Sequence, residues 1–281
     1  MEYTVRIKRY DGKQVTEVDD SLAVEFRTNL YVNGEHYISI MCLPQHLEEL
    51  AVGFLYSEGL IRSREDIISI ADGGRDDILA VVRNIPDRPR SSARVVLSGF
   101  AKGSVNLPFF GDSQPDTDPI RPQAGTYEGN SQPGDGPPSV GGAGYALPQI
   151  HPADVADMIA RFQERSALFR RTGAVHSCSL VLPDGTVLFY EDVGRHNALD
   201  KIVGRALLDD LRTENGILLT SGRVSSEILM KAAGLGIPVI ISTSAPTDMA
   251  VRLARAKDVT LIGFARGDRF NLYAGDSRVT L

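Results

Sequence analysis

The chain has 281 residues, a length that suits one large domain or two small ones. With 42% hydrophobic and 23% charged residues, it has the composition of an ordinary globular protein. Its net charge of −6 and pI of about 5.4 give no overall basic field, which excludes a general nucleic-acid binder.

The N-terminal part of the chain is typical of a mixture of strands and one helix. Alternating or short apolar runs predict strands at residues 3–10, 24–40, 78–82 and 94–97. Within the second of these, Asn33-Gly34 predicts a hairpin turn, because both residues tolerate positive φ. Apolar residues at three- to four-residue spacing predict an amphipathic helix over 44–57. We expect a small α+β domain over residues 1–107.

The composition changes abruptly in the middle of the chain. Residues 108–150 are rich in Gly and Pro and poor in bulky apolar side chains. Such a segment buries too little surface to offset the entropy lost on ordering, so we expect a flexible loop. Two interpretations stay open for this loop: a flap over a binding site and a tolerated insertion.

Residues 151–281 alternate between helices and strands. A helix is predicted over 153–169, and a hairpin follows with strands at 173–182 and 186–190. After the hairpin, helices at 196–211, 225–233 and 248–256 alternate with strands at 217–220, 238–242 and 259–264. This order predicts βαβ units and therefore an α/β domain with parallel strands. Ligands of such sheets bind at the carboxyl ends of the strands, where helix N-termini present free amides.

Three polar segments fall at these predicted strand ends, at residues 191–201, 221–225 and 244–248. Together they suit a large anionic ligand. Arg195 and His196 could contact that ligand from a helix N-terminus, or they could pair with Glu191 and Asp192 at the strand end.

The other two segments supply four more candidate ligand-binding residues: Ser221, Arg223, Ser225 and Thr247. Their hydroxyl and guanidinium groups could hold phosphate. The alternative for the hydroxyl residues is helix capping, which satisfies free amides in any protein.

These segments resemble the FdhD/NarQ family of formate dehydrogenase accessory proteins. The motifs that carry the resemblance are Val32-Asn33-Gly34, Glu49-Leu50-Ala51-Val52-Gly53-Phe54-Leu55-x-x-Glu58-Gly59, Thr172-Gly173-Ala174-Val175-His176, the polar run at 191–201, Ser221-Gly222-Arg223-x-Ser225-x-Glu227, Ser244-Ala245-Pro246-Thr247 and Gly263-Phe264-x-Arg266. The resemblance covers residues 20–105 and 150–275.

The resemblance implies a role in maturing a molybdenum cofactor. Family members are described as carriers that accept sulfur as a persulfide from a cysteine desulfurase. They pass it to the bis-guanine-dinucleotide form of the cofactor before its insertion into formate dehydrogenase. The resemblance further implies a fold similar to that of cytidine deaminases, a smaller N-terminal domain and a homodimer.

The resemblance also assigns a cofactor-holding segment near the C-terminus. Its residues are Phe264, Ala265, Arg266, Gly267, Asp268 and Arg269. Arginine suits phosphate, and glycine lets the backbone approach it. The alternative is a β-turn with solvated arginines.

The chain departs from the family at the sulfur-carrying motif. Members usually have Cys-Gly-x-Cys-Gly where this chain has residues 97–103, and the cysteine positions correspond to Ser98 and Ala101. Neither side chain can form a persulfide, because sulfur transfer depends on a thiolate. Cys178 is a weak substitute two residues after His176 on a predicted strand. The alternative is a small buried core residue.

Cys42 and Cys178 are the chain's two cysteines, too few for a disulfide framework or a four-cysteine zinc site. Deaminase-type zinc chemistry needs His-x-Glu and Cys-x-x-Cys, and His176-Ser177-Cys178 lacks the Glu. We therefore expect no metal site. With no signal-peptide pattern and no run of ~20 apolar residues, we expect a cytoplasmic protein without a membrane partner.

Two functions remain open. The first is a formate dehydrogenase accessory protein that delivers sulfur to the molybdenum cofactor. The second is a cofactor-binding chaperone that has lost sulfur transfer.

Overall fold

The computed structural model describes residues 2–74, 76–83, 94–96 and 149–280. Most of the predicted loop at 108–150 lies outside these ranges, as do Ser98 and Ala101. Within them the chain has a mixed α/β architecture with three sheets.

The N-terminal part contains seven strands and one helix among its described residues. The strands are β1 (Glu2–Tyr10), β2 (Val15–Ala23), β3 (Phe26–Val32), β4 (Glu35–Cys42), β5 (Ile67–Gly74), β6 (Asp77–Val82) and β7 (Arg94–Val96). The helix is α1 (Leu47–Ser57), and a 3-10 turn (Arg64–Asp66) follows it. β1 and β2 form an antiparallel ribbon, whereas the other five strands form a sheet in the order β5-β6-β3-β4-β7.

The predicted hairpin and helix are confirmed. Asn33 and Gly34 join β3 to β4 with φ values of 50° and 85°, the positive angles that this turn requires. One face of α1 packs on the five-stranded sheet, and Leu50 and Leu55 are at most 1% exposed there. The prediction missed β2 and β5. Both are mostly exposed, and neither has the regular alternation of apolar and polar residues that indicates a strand.

The C-terminal part contains six strands and five helices among its described residues. The strands are β8 (His176–Val181), β9 (Val187–Asp192), β10 (Ile217–Thr220), β11 (Val239–Ser242), β12 (Thr260–Arg266) and β13 (Arg269–Ala274). The helices are α2 (Pro152–Arg165), α3 (Ala167–Thr172), α4 (Arg195–Leu208), α5 (Ser226–Gly234) and α6 (Asp248–Ala256), with a final 3-10 turn (Asp276–Arg278).

These strands form a single sheet in the order β13-β12-β11-β10-β8-β9. β10, β11 and β12 are parallel, as the predicted βαβ pattern requires. β8 is antiparallel to both β10 and β9, so β9 points in the same direction as β10. The carboxyl ends of four strands therefore meet at one edge of the sheet.

Helices cover both faces of this sheet. Leu199 of α4 and Leu229 of α5 share a buried core with Leu218 and Ile240 of the sheet. On the opposite face, α2 packs through residues such as Ile159. The successive side chains of each strand alternate between these two cores, which explains why the strands are almost continuously apolar.

The predicted helix at 153–169 is two helices that meet at Ser166. Ser166 leaves the helical conformation with ψ 60°, and its hydroxyl donates a 3.1 Å hydrogen bond to the carbonyl oxygen of Phe162. The carboxylate of Glu191 then accepts the amides of Leu168 and Phe169 at the start of α3. A side chain from β9 thus fixes the break between α2 and α3.

Polar contacts join the N-terminal part to α4 and the end of β9. Asn197 donates to the carbonyl oxygen of Met41 (2.8 Å), the amide of Leu43 donates to Asp192 (3.1 Å), and Ser57 donates to Asp200 (2.8 Å). The division into domains at 1–107 and 151–281 stays a prediction. No helix in the described ranges is long and apolar enough to cross a membrane.

Candidate functional site

The candidate site lies at the sheet edge where β9, β10, β11 and β12 end and β8 begins. We call this edge, with the helix N-termini that open from it, the strand-end site. The residues that cap the three helices there are Gly194 for α4, Ser225 for α5 and Thr247 for α6. The three polar segments predicted from the sequence therefore meet at one place, because the strands that carry them run in the same direction.

Four cationic or titratable side chains cluster at the strand-end site: His176, Arg195, His196 and Arg223. Burial lowers the pKa of His176, and the charges of Arg195, His196 and Arg223 lower it further. Burial and the charge of Arg223 also lower the pKa of Arg195. Burial is the larger cause of both shifts, and the neighbouring positive charges add to it in an arrangement that a bound anion would relieve.

Arg195 has a buried hydrogen-bond donor without a partner. Among the described residues, no acceptor reaches its Nε atom, which is shielded from solvent. Gly222 makes room for this side chain, because a Cβ there would lie 2.8 Å from the Cβ of Arg195. Buried donors ordinarily have a hydrogen-bond acceptor. A ligand rich in oxygen atoms could supply the acceptor that Nε of Arg195 lacks.

His196 contacts a carboxylate from the neighbouring helix. Its Nε2 lies 3.2 Å from Oε2 of Glu227, and both side chains are largely buried. Burial opposes ionisation of Glu227, but the contact with His196 and the charge of Lys231 outweigh it and lower the pKa of Glu227 to about 2. Glu227 is therefore a fixed negative charge at neutral pH.

The hydroxyl residues of the site already have partners within the protein. Ser221 accepts the amide of Ser177 (2.9 Å) and lies 3.4 Å from Nδ1 of His176. Ser225 accepts the amide of Ile228, and Thr247 accepts the amide of Ala250. Ser225 and Thr247 thus act as helix caps, the alternative that their positions suggested.

The segment from Phe264 to Arg269 lies at the far side of the same edge. Phe264 has a positive φ of 52°, and its amide donates to the carbonyl oxygen of Ser244 at 3.0 Å. Arg266 pairs with Arg269 across a two-residue turn of Gly267 and Asp268. Apart from buried Ala265, these residues are exposed. The backbone is that of a turn, and Nε of Arg266 donates to the carbonyl oxygen of Thr243 after β11 (3.4 Å).

A cleft of 570 Å³ opens beside the cationic cluster. The strand ends contribute His176, Ser221 and Thr243 to its lining, whereas α2 and α3 contribute Phe162 and Phe169. Its size is in the range of small-molecule sites, and it combines apolar walls with a few polar groups. The cleft and the cluster together can accommodate a ligand with both an aromatic and an anionic part.

Neither cysteine is available at the site. Cys178 is 0% exposed, and its thiol donates to Oγ1 of Thr220 at 3.4 Å. Burial raises the pKa of Cys178 to about 12. Cys42 is also 0% exposed, and burial together with the charge of Asp192 raises its pKa to about 12. No group of three His, Cys, Asp or Glu side chains in the described part of the chain could hold a metal ion.

Sequence reasoning missed the buried charges behind the site. Lys231 binds Asp200 (2.8 Å) and lies 3.3 Å from Glu227, whereas Lys201 binds Asp192 at 2.6 Å. The spacing of Glu227 and Lys231, four residues apart on a predicted helix, is the one signal that could have indicated a pair. Nothing in the sequence marks these lysines as buried.

Comparison with known proteins gives concordant matches over most of the chain. The model of the FdhD/NarQ family matches residues 23–126 and 140–280. The chain is 35% identical to the sulfur carrier protein FdhD of Listeria monocytogenes, over 98% of this chain and 97% of that protein. It is 32% identical to the sulfur carrier protein FdhD of Bacillus subtilis, over 96% and 95%.

One solved structure is similar over nearly its full length. It is described as a formate dehydrogenase accessory protein from Desulfotalea psychrophila. The similarity has a TM-score of 0.71 with 25% sequence identity and covers 99% of each chain. The mixed α/β architecture described above is therefore also found in that protein.

Proposed function

The chain belongs to the FdhD/NarQ family, and we propose that it serves the maturation of formate dehydrogenase by binding a guanylated molybdenum cofactor at the strand-end site. The ligand we propose is molybdenum bis(molybdopterin guanine dinucleotide), carried as cargo. It supplies the metal centre of the client enzyme and presents two diphosphate groups and two purine bases to the protein that binds it.

The buried, unpartnered Nε of half-buried Arg195, within a cluster of like charges, is the observation that supports this proposal most strongly. Diphosphate is strongly anionic and rich in acceptor oxygens, so it would satisfy this donor and relieve the repulsion between Arg195 and Arg223. The N-termini of α4 and α5 add free amides beside these residues.

The residues divide into two groups in this proposal. Arg195, His196 and Arg223 bind phosphate, with Ser221 at the edge of the cleft. The segment from Phe264 to Arg269 holds a second part of the ligand, with Arg266 and Arg269 available to phosphate. Phe169 is 47% exposed at the cleft and offers a surface on which a purine can stack.

We further propose that the chain does not carry sulfur on its own cysteines. Cys42 and Cys178 are buried with pKa values of about 12, and Ser98 and Ala101 stand where the family has its usual cysteines. The protein then acts as a cofactor-binding chaperone, and any persulfide comes from a partner such as a cysteine desulfurase. The competing proposal is sulfur transfer by this chain, with Cys178 as the weak candidate thiol. The relatives' name, sulfur carrier protein, supports sulfur transfer but no particular residue.

Several finer features belong to the same proposal because the family implies them. They are a likeness of the C-terminal part to cytidine deaminases, a homodimer, and action in the cytoplasm.

Binding of guanosine diphosphate, measured by isothermal titration calorimetry, tests the ligand. We expect Arg195→Gln and Arg223→Gln each to weaken binding about tenfold, because each removes a charge-assisted hydrogen bond. Arg252→Gln is the matched control, since Arg252 is 62% exposed and pairs with Asp248 on α6. Equal affinity in all four proteins would contradict the proposed site.

Mass spectrometry without reductant tests the route of sulfur. The protein is incubated with a cysteine desulfurase and cysteine, beside its Cys178→Ala variant and a family member that has the usual motif. We expect persulfide on that relative and none on this chain. A persulfide that disappears in Cys178→Ala would instead establish sulfur transfer through a moved thiol.

A further inference from the structure

We propose that Glu191 is a positioning residue for the strand-end site, which fixes the aromatic wall of the cleft against which a purine base of the ligand stacks. The inference rests on the proposed function, because it assumes a ligand with a purine base. Glu191 is not one of the described residues that line the cleft, so it acts through Phe169 rather than by touching the ligand.

The wall in question is the corner between α2 and α3. Phe162 of α2, Ser166 at the corner and Phe169 of α3 line the cleft from this side. Phe162 is 4% exposed and packs edge-on against Phe189 of β9, with the ring centroids 5.9 Å apart. Phe169 is 47% exposed, so its ring is the part of the wall that a base can reach.

The carboxylate of Glu191 holds the start of α3. Oε2 accepts the amide of Leu168 at 3.1 Å, and Oε1 accepts the amide of Phe169 at 3.0 Å. The hydroxyl of Ser177 donates to the same Oε1 at 3.4 Å. Both amides belong to the first turn of a helix, where no carbonyl oxygen of that helix can accept them. Glu191 thus fixes the backbone of the same residue whose ring lines the cleft.

α3 depends on contacts from outside the helix. Its N-cap residue, Ser166, makes no capping hydrogen bond, and its hydroxyl donates instead to the carbonyl oxygen of Phe162 (3.1 Å). A helix of six residues is too short to be stable without tertiary contacts. Leu168, which is 3% exposed, provides the apolar contact. Glu191 provides the polar one, and its loss would allow Phe169 to move.

Glu191 and its neighbour Asp192 serve opposite faces of the sheet. Successive side chains of a strand point to opposite faces, so Glu191 shares the face of Phe189, toward α2 and α3. Asp192 points toward α4, where it accepts the amide of Gly194 (3.1 Å) and the side-chain amide of Asn197 (2.8 Å). The end of β9 therefore holds both the helix whose N-terminus binds phosphate and the wall that faces the base.

Two ligands separate this role from an effect on the whole site. Guanosine diphosphate contains a base and two phosphates, whereas inorganic pyrophosphate contains the phosphates alone. A general loss of structure would weaken the binding of both ligands. A change in long-range electrostatics would shift both affinities in the same direction. Loss of the positioned wall weakens the binding of guanosine diphosphate only.

The first test is isothermal titration calorimetry with each of these two ligands. We expect Phe169→Ala to weaken the binding of guanosine diphosphate about tenfold, because a stacking surface is lost. Glu191→Gln should weaken it about fivefold, since the new NH₂ group cannot accept an amide and the wall loses its fixed position. Neither variant should change the affinity for pyrophosphate by more than about twofold.

Asp154→Asn is the matched control. Asp154 also accepts an amide at the start of a helix, that of His151 (3.0 Å), but it lies at the end of α2 remote from the cleft. This variant should bind both ligands as the unchanged protein does.

A double variant tests whether Glu191 acts through Phe169. Once Phe169 is replaced by Ala, Glu191→Gln should have little further effect, because the ring that it positions is gone. Additive effects in the double variant would overturn the proposal. It would also be overturned if Glu191→Gln weakened both ligands equally or left the binding of guanosine diphosphate unchanged.

The second test needs no ligand. Hydrogen exchange followed by NMR reports on the amides of Leu168 and Phe169. We expect Glu191→Gln to speed their exchange about tenfold or more and Asp154→Asn to leave it unchanged. Unchanged exchange in Glu191→Gln would refute the role of Glu191. Failure of the proposed function looks different: the unchanged protein then binds neither ligand, while the exchange rates still decide whether Glu191 holds α3.

Discussion

Gly53 of α1 and Gly204 of α4 are matched contact points between the N-terminal and C-terminal parts of the chain. A Cβ on Gly53 would lie 1.8 Å from the carbonyl oxygen of Asp200, and a Cβ on Gly204 would lie 1.8 Å from the carbonyl oxygen of Glu49. Each helix therefore rests on the backbone of the other, at a distance that no larger residue permits.

We expect Gly204→Ala to lower the free energy of unfolding by about 3 kcal/mol or more, because backbone atoms cannot move aside as a flexible side chain can. Urea unfolding followed by circular dichroism measures the change. Gly234→Ala in α5 is the control, since its nearest neighbour is the hydroxyl of Tyr56 at 3.3 Å, and it should differ by less than about 1 kcal/mol. A Gly204→Ala variant as stable as the control would contradict this packing.

The second prediction concerns the ion pair of Asp192 and Lys201, in which both side chains are 0% exposed. Lys201→Met leaves the carboxylate of Asp192 buried without its cation, so we expect a loss of about 3–5 kcal/mol in unfolding free energy. Arg161→Met is the comparison, because Arg161 and its partner Asp157 are 74% and 58% exposed. This change should cost at most about 1 kcal/mol. Similar losses in both variants would argue against a buried pair.

The third prediction concerns thiol reactivity. With pKa values of about 12, only about one in 10⁴ of the Cys42 and Cys178 side chains is a thiolate at pH 8. We expect the folded protein to react with Ellman's reagent over hours or longer, and the urea-unfolded protein to release two equivalents within minutes. Rapid release of one equivalent from the folded protein, absent in Cys178→Ala, would make Cys178 a candidate sulfur carrier after all.

The fourth prediction follows from the lowered pKa of His176. Above the ordinary histidine pKa of about 6.5, the ring is neutral in both the folded and the unfolded chain. As the pH falls below that value, the unfolded chain binds the proton first, so the free energy of unfolding decreases. His176→Asn should lose less stability than the unchanged protein between pH 7.5 and 5.5, in urea titrations at each pH. An equal loss of stability in both proteins over this range would contradict the prediction.

Local sequence patterns were sufficient to predict most elements of the C-terminal sheet. α6 occupies the predicted residues 248–256, because Thr247 is a good N-cap and the apolar spacing is that of a helix. The sequence also predicted that the three polar segments would meet at one edge of the sheet, because parallel strands end at the same edge. β13 was missed, although the alternation of Phe270 and Leu272 with the more exposed Arg269 and Asn271 is a strand pattern.

The chemistry behind the site could not be predicted in the same way. On a helix, Lys231 and Asp200 look like ordinary surface charges, and only the packing of α1 against α4 and α5 places them inside. For the same reason Ser57, which donates to Asp200, gave no signal in the sequence. Long-range contacts decide which charges are buried, and a periodic pattern carries no such information.

Phe264 has a backbone conformation that residues other than glycine rarely adopt, with φ 52° and a side chain 43% exposed at the strand-end site. The hydrogen bond that its amide donates to the carbonyl oxygen of Ser244 holds it there, and Gly263 packs so tightly that a Cβ would lie 2.9 Å from Tyr273 and 3.0 Å from Pro246. The unfavourable backbone conformation of Phe264 is already adopted when the protein folds. The segment around Phe264 is therefore preorganised, and a ligand that contacts it would lose little binding free energy to rearranging the chain.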